Sequence, residues 1–111
     1  FTHIKDMVKA YWLSTRKCKP GELYLVGTET NEGNVFTFRQ ALEKLISLST
    51  VKNIRYKSVK EFTRPTSVPR LIAKTDKFRK ITNWKAKISF DKILTDTLEY
   101  WRKKVKDNDH I

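Results

Sequence analysis

Two arginines on a proline-containing segment are the residues of this sequence best suited to bind an anion. Arg64 and Arg70 belong to residues 63–71, which read TRPTSVPRL. Each proline fixes its own φ and favours an extended conformation in the residue before it, so the segment is stiff. A guanidinium held in place suits phosphate or carboxylate, because its planar N–H groups form paired hydrogen bonds with either. Solvated arginines on a surface loop are the alternative that this segment alone leaves open.

Tyr56 and Lys60 have the Tyr-x-x-x-Lys spacing in which a lysine on the same helical face lowers the pKa of a phenol. Residues 54–59 alternate apolar and polar, however, as an exposed or edge strand does, and a strand does not place these two side chains on one face. We therefore predict no catalytic role for the pair, and no catalytic residue elsewhere in this chain.

Metal and redox chemistry have few candidates. Cys18 is the only cysteine and His3 and His110 are the only histidines, which excludes an internal disulfide and a Cys/His metal cluster. We interpret His3 as a strand residue near the first helix, because the sequence shows no partner for a general base. These features predict no metal site and a cytoplasmic location.

The charge balance favours anionic partners. The 111 residues carry 24 Lys and Arg against 12 Asp and Glu, a net charge of +12, which suits nucleic acid, an acidic membrane surface or phosphorylated small molecules. Lysines are spread through every segment, so dedicated nucleic-acid binding is not favoured. No apolar run approaches the ~20 residues of a membrane span, and we expect no membrane partner. The chain opens on Phe1 rather than Met, which suggests a piece of a longer protein.

Four helices are predicted by apolar periodicity and capping residues. They begin near Ile4, Thr37, Thr75 and Ser89, and Asp6 is expected to act as a cap near the start of the first. The apolar faces assigned to the core are Ile4/Met7/Val8/Tyr11/Trp12, Phe38/Ala41/Leu42/Leu45/Ile46 and Phe90/Ile93/Leu94/Leu98/Trp101. On this interpretation Trp12, Trp101, Phe38 and Phe90 are core residues rather than platforms for stacked bases.

Short strands are predicted over residues 23–27, an apolar run closed by a glycine, and over residues 54–59. The fold class is therefore α+β, a helix-rich lobe with short strands. Residues 1–103 form the predicted lobe, and residues 104–111 are predicted to be a disordered tail.

Four segments, in order, resemble the C-terminal part of extended short-chain dehydrogenase/reductases, and within them the GDP-mannose 4,6-dehydratase group. They are FTHIKDMVKA at 1–10, GELYLVGT at 21–28, RPTSVP at 64–69 and the helix at 75–84 that ends in Trp84. The chain departs from the family pattern at Leu25, where asparagine is usual, at Asn83, where glycine is usual, and at Ala73-Lys74, where a Gly-Asp pair is usual.

The resemblance implies that Arg64 grips the diphosphate of a nucleotide sugar. Ser67 occupies the place of the family's acid, which hydrogen-bonds the ribose hydroxyls. A serine has a single side-chain oxygen and cannot bond both ribose hydroxyls as the two oxygens of a carboxylate do, so we expect weaker ribose recognition. Arg64 and Ser67 are thus the predicted substrate-binding residues.

The resemblance also implies a larger lyase in which an N-terminal Rossmann domain, absent from this chain, holds NADP or NAD and the catalytic residues. The full enzyme is expected to be a homo-oligomer that converts GDP-mannose to GDP-4-keto-6-deoxymannose, and this fragment alone is expected to be inactive. The related GDP-4-keto-6-deoxymannose reductase, another nucleotide-sugar epimerase or dehydratase, and a basic nucleic-acid-binding module remain alternatives.

Overall fold

The computed structural model describes residues 1–29, 35–66 and 70–108. Within these ranges all the regular secondary structure is helical. The α-helices are α1 (Ile4–Lys17), α2 (Phe38–Leu48), α3 (Asp76–Thr82) and α4 (Phe90–Asp107), with a 3₁₀-helix at Lys60–Phe62. The four helices predicted from the sequence are confirmed.

Capping side chains fix where three of these helices begin. Thr37 and Gln40 form a reciprocal capping box at the start of α2, with N–H to oxygen distances of 3.1 and 2.8 Å. The Ser89 hydroxyl accepts a hydrogen bond from the Lys92 backbone N–H in the first turn of α4. At the start of α1, the His3 Nδ1 accepts a hydrogen bond from the Lys5 backbone N–H. Each cap satisfies a backbone donor that has no partner inside its helix.

Two small apolar clusters form the core. In the first, α1 packs on α3 around Ala10, Phe78 and Trp84, and the Phe78 side chain is completely buried. In the second, α2 packs on α4 around Ala41, Phe90 and Leu94. The prediction that Phe90 is a core residue is confirmed.

Asp6 connects the start of α1 to the loop between α3 and α4. Its Oδ2 accepts hydrogen bonds from the backbone N–H groups of Lys87 and Ile88, at 3.0 and 2.9 Å. The Trp84 indole N–H donates to the Asp6 carbonyl at 2.9 Å. Asp6 therefore holds a distant loop instead of capping its own helix.

The apolar face of α1 was assigned to the wrong side. Among the residues expected in the core, Met7 is half-buried, whereas Ile4, Val8, Tyr11 and Trp12 are each more than half exposed, from 55% to 69%. The helix turns Asp6 and Ala10 inward, where the Asp6 carboxylate accepts hydrogen bonds from backbone N–H groups beyond α3 and Ala10 packs in the first apolar cluster. The core assignments of Trp101 (55% exposed) and Phe38 (86% exposed) are also wrong.

The predicted strands are absent from the described residues, so the α+β description is not confirmed. Along 23–26 the side chains still alternate, with Leu23 and Leu25 exposed and Tyr24 and Val26 half-buried. Residues 54–59 lie outside any helix or strand. A strand exists only where a neighbouring backbone pairs with it, and within the part of the chain described here neither segment has such a neighbour.

Helix α4 extends to Asp107, so the described part of the predicted tail, residues 104–108, is mostly helical. The predicted disorder of residues 104–111 stays a prediction. Lys104 and Lys106 lie in the last turn, where cations suit the helix dipole.

Asn83 ends α3 with a φ of 55°, a left-handed conformation that asparagine tolerates better than most residues, so it can replace a glycine there.

Candidate functional site

The segment that carries Arg64 begins with the 3₁₀-helix. The Thr63 N–H donates to the Lys60 carbonyl at 2.9 Å, and Pro65 and Thr66 form a turn directly after Arg64. The Arg64 side chain is exposed, and no hydrogen bond or ion pair joins it to any other described residue. Its guanidinium is therefore available to an anion from solution.

Ser67, the second predicted binding residue, lies outside the described residues, as do Val68 and Pro69. The predicted contact between Ser67 and a ribose stays a prediction. Arg70, at the far end of the same segment, is exposed like Arg64.

Arg79, in contrast to Arg64, takes part in a hydrogen-bond network within the protein. It lies in α3, where its guanidinium donates to the Thr75 hydroxyl and, at 3.1 Å, to the Gly27 carbonyl. Glu29 completes this network, since its carboxylate lies 3.6 Å from Arg79 and accepts from Thr75 at 2.6 Å. Periodicity alone did not identify this network, because its members are far apart in the sequence.

The approach to Arg64 is cationic. Lys52, Arg55, Lys57 and Lys60 precede it, all of them exposed. Between 52 and 64 the only acidic residue is Glu61. Such a run raises the local concentration of anions and complements the charge of a diphosphate.

The environment of the Tyr56 hydroxyl does not favour its loss of a proton. Its hydroxyl donates to a Glu43 carboxylate oxygen in α2 at 3.0 Å, and this hydrogen bond raises the pKa of the phenol above its ordinary value. Catalysis by a Tyr-Lys pair needs the opposite shift. Lys60, at the expected spacing, begins the 3₁₀-helix instead of sharing a helical face with Tyr56.

His3 has a partner that the sequence did not reveal. Its Nε2 lies 2.8 Å from Oδ2 of Asp96 in α4, and its Nδ1 accepts from the Lys5 N–H. The Lys92 ammonium also bonds Asp96, at 2.6 Å. Hydrogen bonds from Lys92 and then His3 lower the pKa of the Asp96 carboxyl. The expectation that His3 is a strand residue is wrong, because it caps α1.

An open cavity of about 650 Å³ lies beside this pair, lined in part by Ile4, Lys5 and Tyr100. Both ring nitrogens of His3 are occupied by protein groups, so the histidine has no free lone pair to take a proton from a ligand here. His3 acts as a structural connection between α1 and α4.

Across residues 1–29, 35–66 and 70–108, no three His, Cys, Asp or Glu side chains come together as metal ligands would. No helix in the same ranges is long and apolar enough to cross a membrane.

The resemblance seen in the sequence is supported by a comparison with protein families. Residues 1–97 match the model of a family described as GDP-mannose 4,6 dehydratase. The match spans both apolar clusters and the segment that presents Arg64. With 97 of 111 residues matched, this chain belongs to the GDP-mannose 4,6 dehydratase family.

Proposed function

We propose that this chain is the nucleotide-sugar-binding part of an enzyme of the GDP-mannose 4,6-dehydratase type, which converts GDP-mannose to GDP-4-keto-6-deoxymannose. The family match over residues 1–97 carries this proposal. The exposed Arg64, which has no partner among the described residues and ends a cationic run, supports it, because it offers the donors that a diphosphate requires.

Arg64 would bind the diphosphate through paired N–H donors, and Ser67 would form one hydrogen bond with the ribose. These contacts act by positioning. Holding the nucleotide fixes the attached sugar against a reactive group, which lowers the entropic part of the barrier.

The chemistry itself would be supplied by an N-terminal Rossmann domain with NADP or NAD. The glycines of this chain, Gly21, Gly27 and Gly33, stand far apart and form no dinucleotide-binding loop. The exposed Ile4, Val8 and Tyr11 on α1, together with Leu23 and Leu25, offer an apolar surface on which such a domain could pack.

A thermal-shift titration with GDP and GDP-mannose tests the proposal. Ligand that binds only the folded state should raise the melting temperature, and Arg64→Ala should abolish the rise. Arg70→Ala is the matched control, since it removes the same group from the same segment and should leave the rise intact. Equal losses in both variants would show that general positive charge, and not a diphosphate site, attracts the ligand.

Because the net charge is +12, nucleic-acid binding is the competing function. A protein that ignores GDP but binds RNA, with an affinity that falls steeply with salt, would overturn the dehydratase proposal. Turnover by the full-length enzyme would separate the dehydratase from the related reductase and from other nucleotide-sugar epimerases.

A further inference from the structure

The second half of α4 carries an apolar stripe that becomes exposed toward its C-terminal end. We call Leu98, Trp101 and Val105 the α4 stripe; Leu98 is half-buried, and Trp101 and Val105 are exposed. It continues the row of Phe90 and Leu94, since these residues follow at intervals of three or four. Phe90 and Leu94 are buried against α2, whereas Trp101 is 55% and Val105 61% exposed.

Cations lie on both sides of this stripe. At 100° per residue, Lys104 lies on one side of it and Arg102 and Lys106 on the other. Arg102 pairs with Glu99, and no carboxylate among the described residues pairs with Lys103, Lys104 or Lys106. Lys104 lies over the Tyr100 ring, 5.9 Å from its centre. The segment thus combines aromatic side chains, an apolar stripe and flanking ammonium groups.

This segment carries none of the nucleotide-sugar contacts proposed above, which Arg64 and Ser67 would make. The family match covers residues 1–97, and the stripe begins at Leu98. The stripe also lies on a different helix from the exposed apolar residues of α1.

We propose that the second half of α4 binds an anionic lipid surface, lying on the surface without crossing it. A short helix with a Trp-containing apolar face and flanking lysines has the chemistry of an interfacial helix. The apolar stripe would enter the boundary between headgroups and acyl chains, and the lysine stems would extend their ammonium groups to lipid phosphates. The sequence-based expectation of no membrane partner considered only membrane-spanning segments.

Charge favours this occupant over a second copy of the chain. Two copies meeting through the stripe would bring Arg102, Lys104 and Lys106 of each against the same residues of the other. Anionic lipid instead complements these charges, and each lysine near such a surface contributes a roughly fivefold gain in affinity.

Co-sedimentation of the 111-residue chain with phosphatidylcholine vesicles, with and without phosphatidylserine, tests the proposal. We expect binding only to the anionic vesicles. Trp101→Ala/Val105→Ala should weaken it about tenfold or more, and so should Arg102→Gln/Lys104→Gln/Lys106→Gln, which removes the flanking cations. All the changed side chains are exposed, so the fold should survive, and circular dichroism checks this.

Matched controls come from α1. Trp12→Ala removes a tryptophan as exposed as Trp101, and Lys5→Gln/Lys9→Gln/Lys17→Gln removes the same charge from another helix. Both controls should keep binding within about twofold of the unchanged chain. Equal losses in the α1 controls, no binding to anionic vesicles at low salt, or binding to an acidic polypeptide but not to vesicles would each overturn the proposal.

Discussion

His3 and Asp96 are 93 residues apart in sequence, yet the His3 Nε2 lies 2.8 Å from Asp96 Oδ2. The same imidazole caps α1 through Nδ1, so one side chain sets where the first helix begins and fastens it to the last. His3 is 6% exposed, whereas the Asp96 side chain is 30% exposed.

Removing the imidazole should weaken both contacts of His3. We expect His3→Ala to destabilise the fold by about 1–2 kcal/mol, the usual cost of losing a helix cap or a hydrogen bond. Urea unfolding measures this. In His3→Asn the amide oxygen can still cap α1 but cannot reach Asp96, so an intermediate loss is expected. A variant as stable as the unchanged chain would contradict the structural role of His3.

The Asp96 carboxyl should make stability depend on acid pH. Its pKa in the folded chain is lowered from 3.8 by the Lys92 and His3 hydrogen bonds, so the unfolded chain takes up a proton first as the pH falls. The stabilisation is present above pH ~4 and is lost as the pH drops through the folded pKa. Melting temperatures of the unchanged chain and of Asp96→Asn should therefore differ at pH 7 and converge toward pH 2. A difference that stays constant across this range would exclude the linkage.

Replacing the Asp6 carboxylate by an amide should affect stability much less than replacing it by a methyl group. Both loop N–H groups donate to a single oxygen, Oδ2, which the Asn carbonyl can replace. Asp6→Ala removes the oxygen that accepts both hydrogen bonds and should cost about 2–4 kcal/mol in the free energy of unfolding. Asp6→Asn should cost less than about 1 kcal/mol. Urea unfolding of both variants measures the difference, and equal losses would mean that the carboxylate charge matters more than the hydrogen bonds.

Two phenylalanines should respond very differently to truncation. Phe78 is fully buried against Trp84 and Tyr24, so Phe78→Ala should cost about 3–5 kcal/mol and leave little folded protein. Phe38 is 86% exposed, and Phe38→Ala should change stability by about 0.5 kcal/mol or less. Thermal melts followed by circular dichroism compare the two. Similar melting temperatures would contradict the assignment of the core.

Replacing Ser67 with an acid should strengthen nucleotide binding if the proposed function is correct. A carboxylate accepts hydrogen bonds from both ribose hydroxyls, whereas a serine offers a single hydroxyl. We expect Ser67→Asp to tighten GDP binding about tenfold in calorimetry, and Ser67→Asn, which lacks the charge, to gain less. Since Ser67→Asp also lowers the positive charge, weaker binding would favour nonspecific attraction.

Local chemistry determined where the helices of this protein begin. The Thr37-Gln40 capping box and the Ser89 cap were visible as short sequence patterns, because a cap involves residues within one turn. The family resemblance was likewise carried by short motifs, and the match over residues 1–97 confirms it. The prediction of Arg64 as a binding residue came from that resemblance, and its exposed position is compatible with it.

Only the tertiary structure decided which face of each helix is buried and which distant groups meet. The apolar pattern of α1 predicted a helix correctly but placed Trp12 in the core, because periodicity does not reveal that Asp6 is turned inward by backbone N–H groups about 80 residues away. Residues 23–27 have the composition of a strand, but a strand depends on a second backbone. The Asp96 partner of His3 was hidden for the same reason: contacts between residues far apart in the chain are set by how the helices pack, and no local pattern records them.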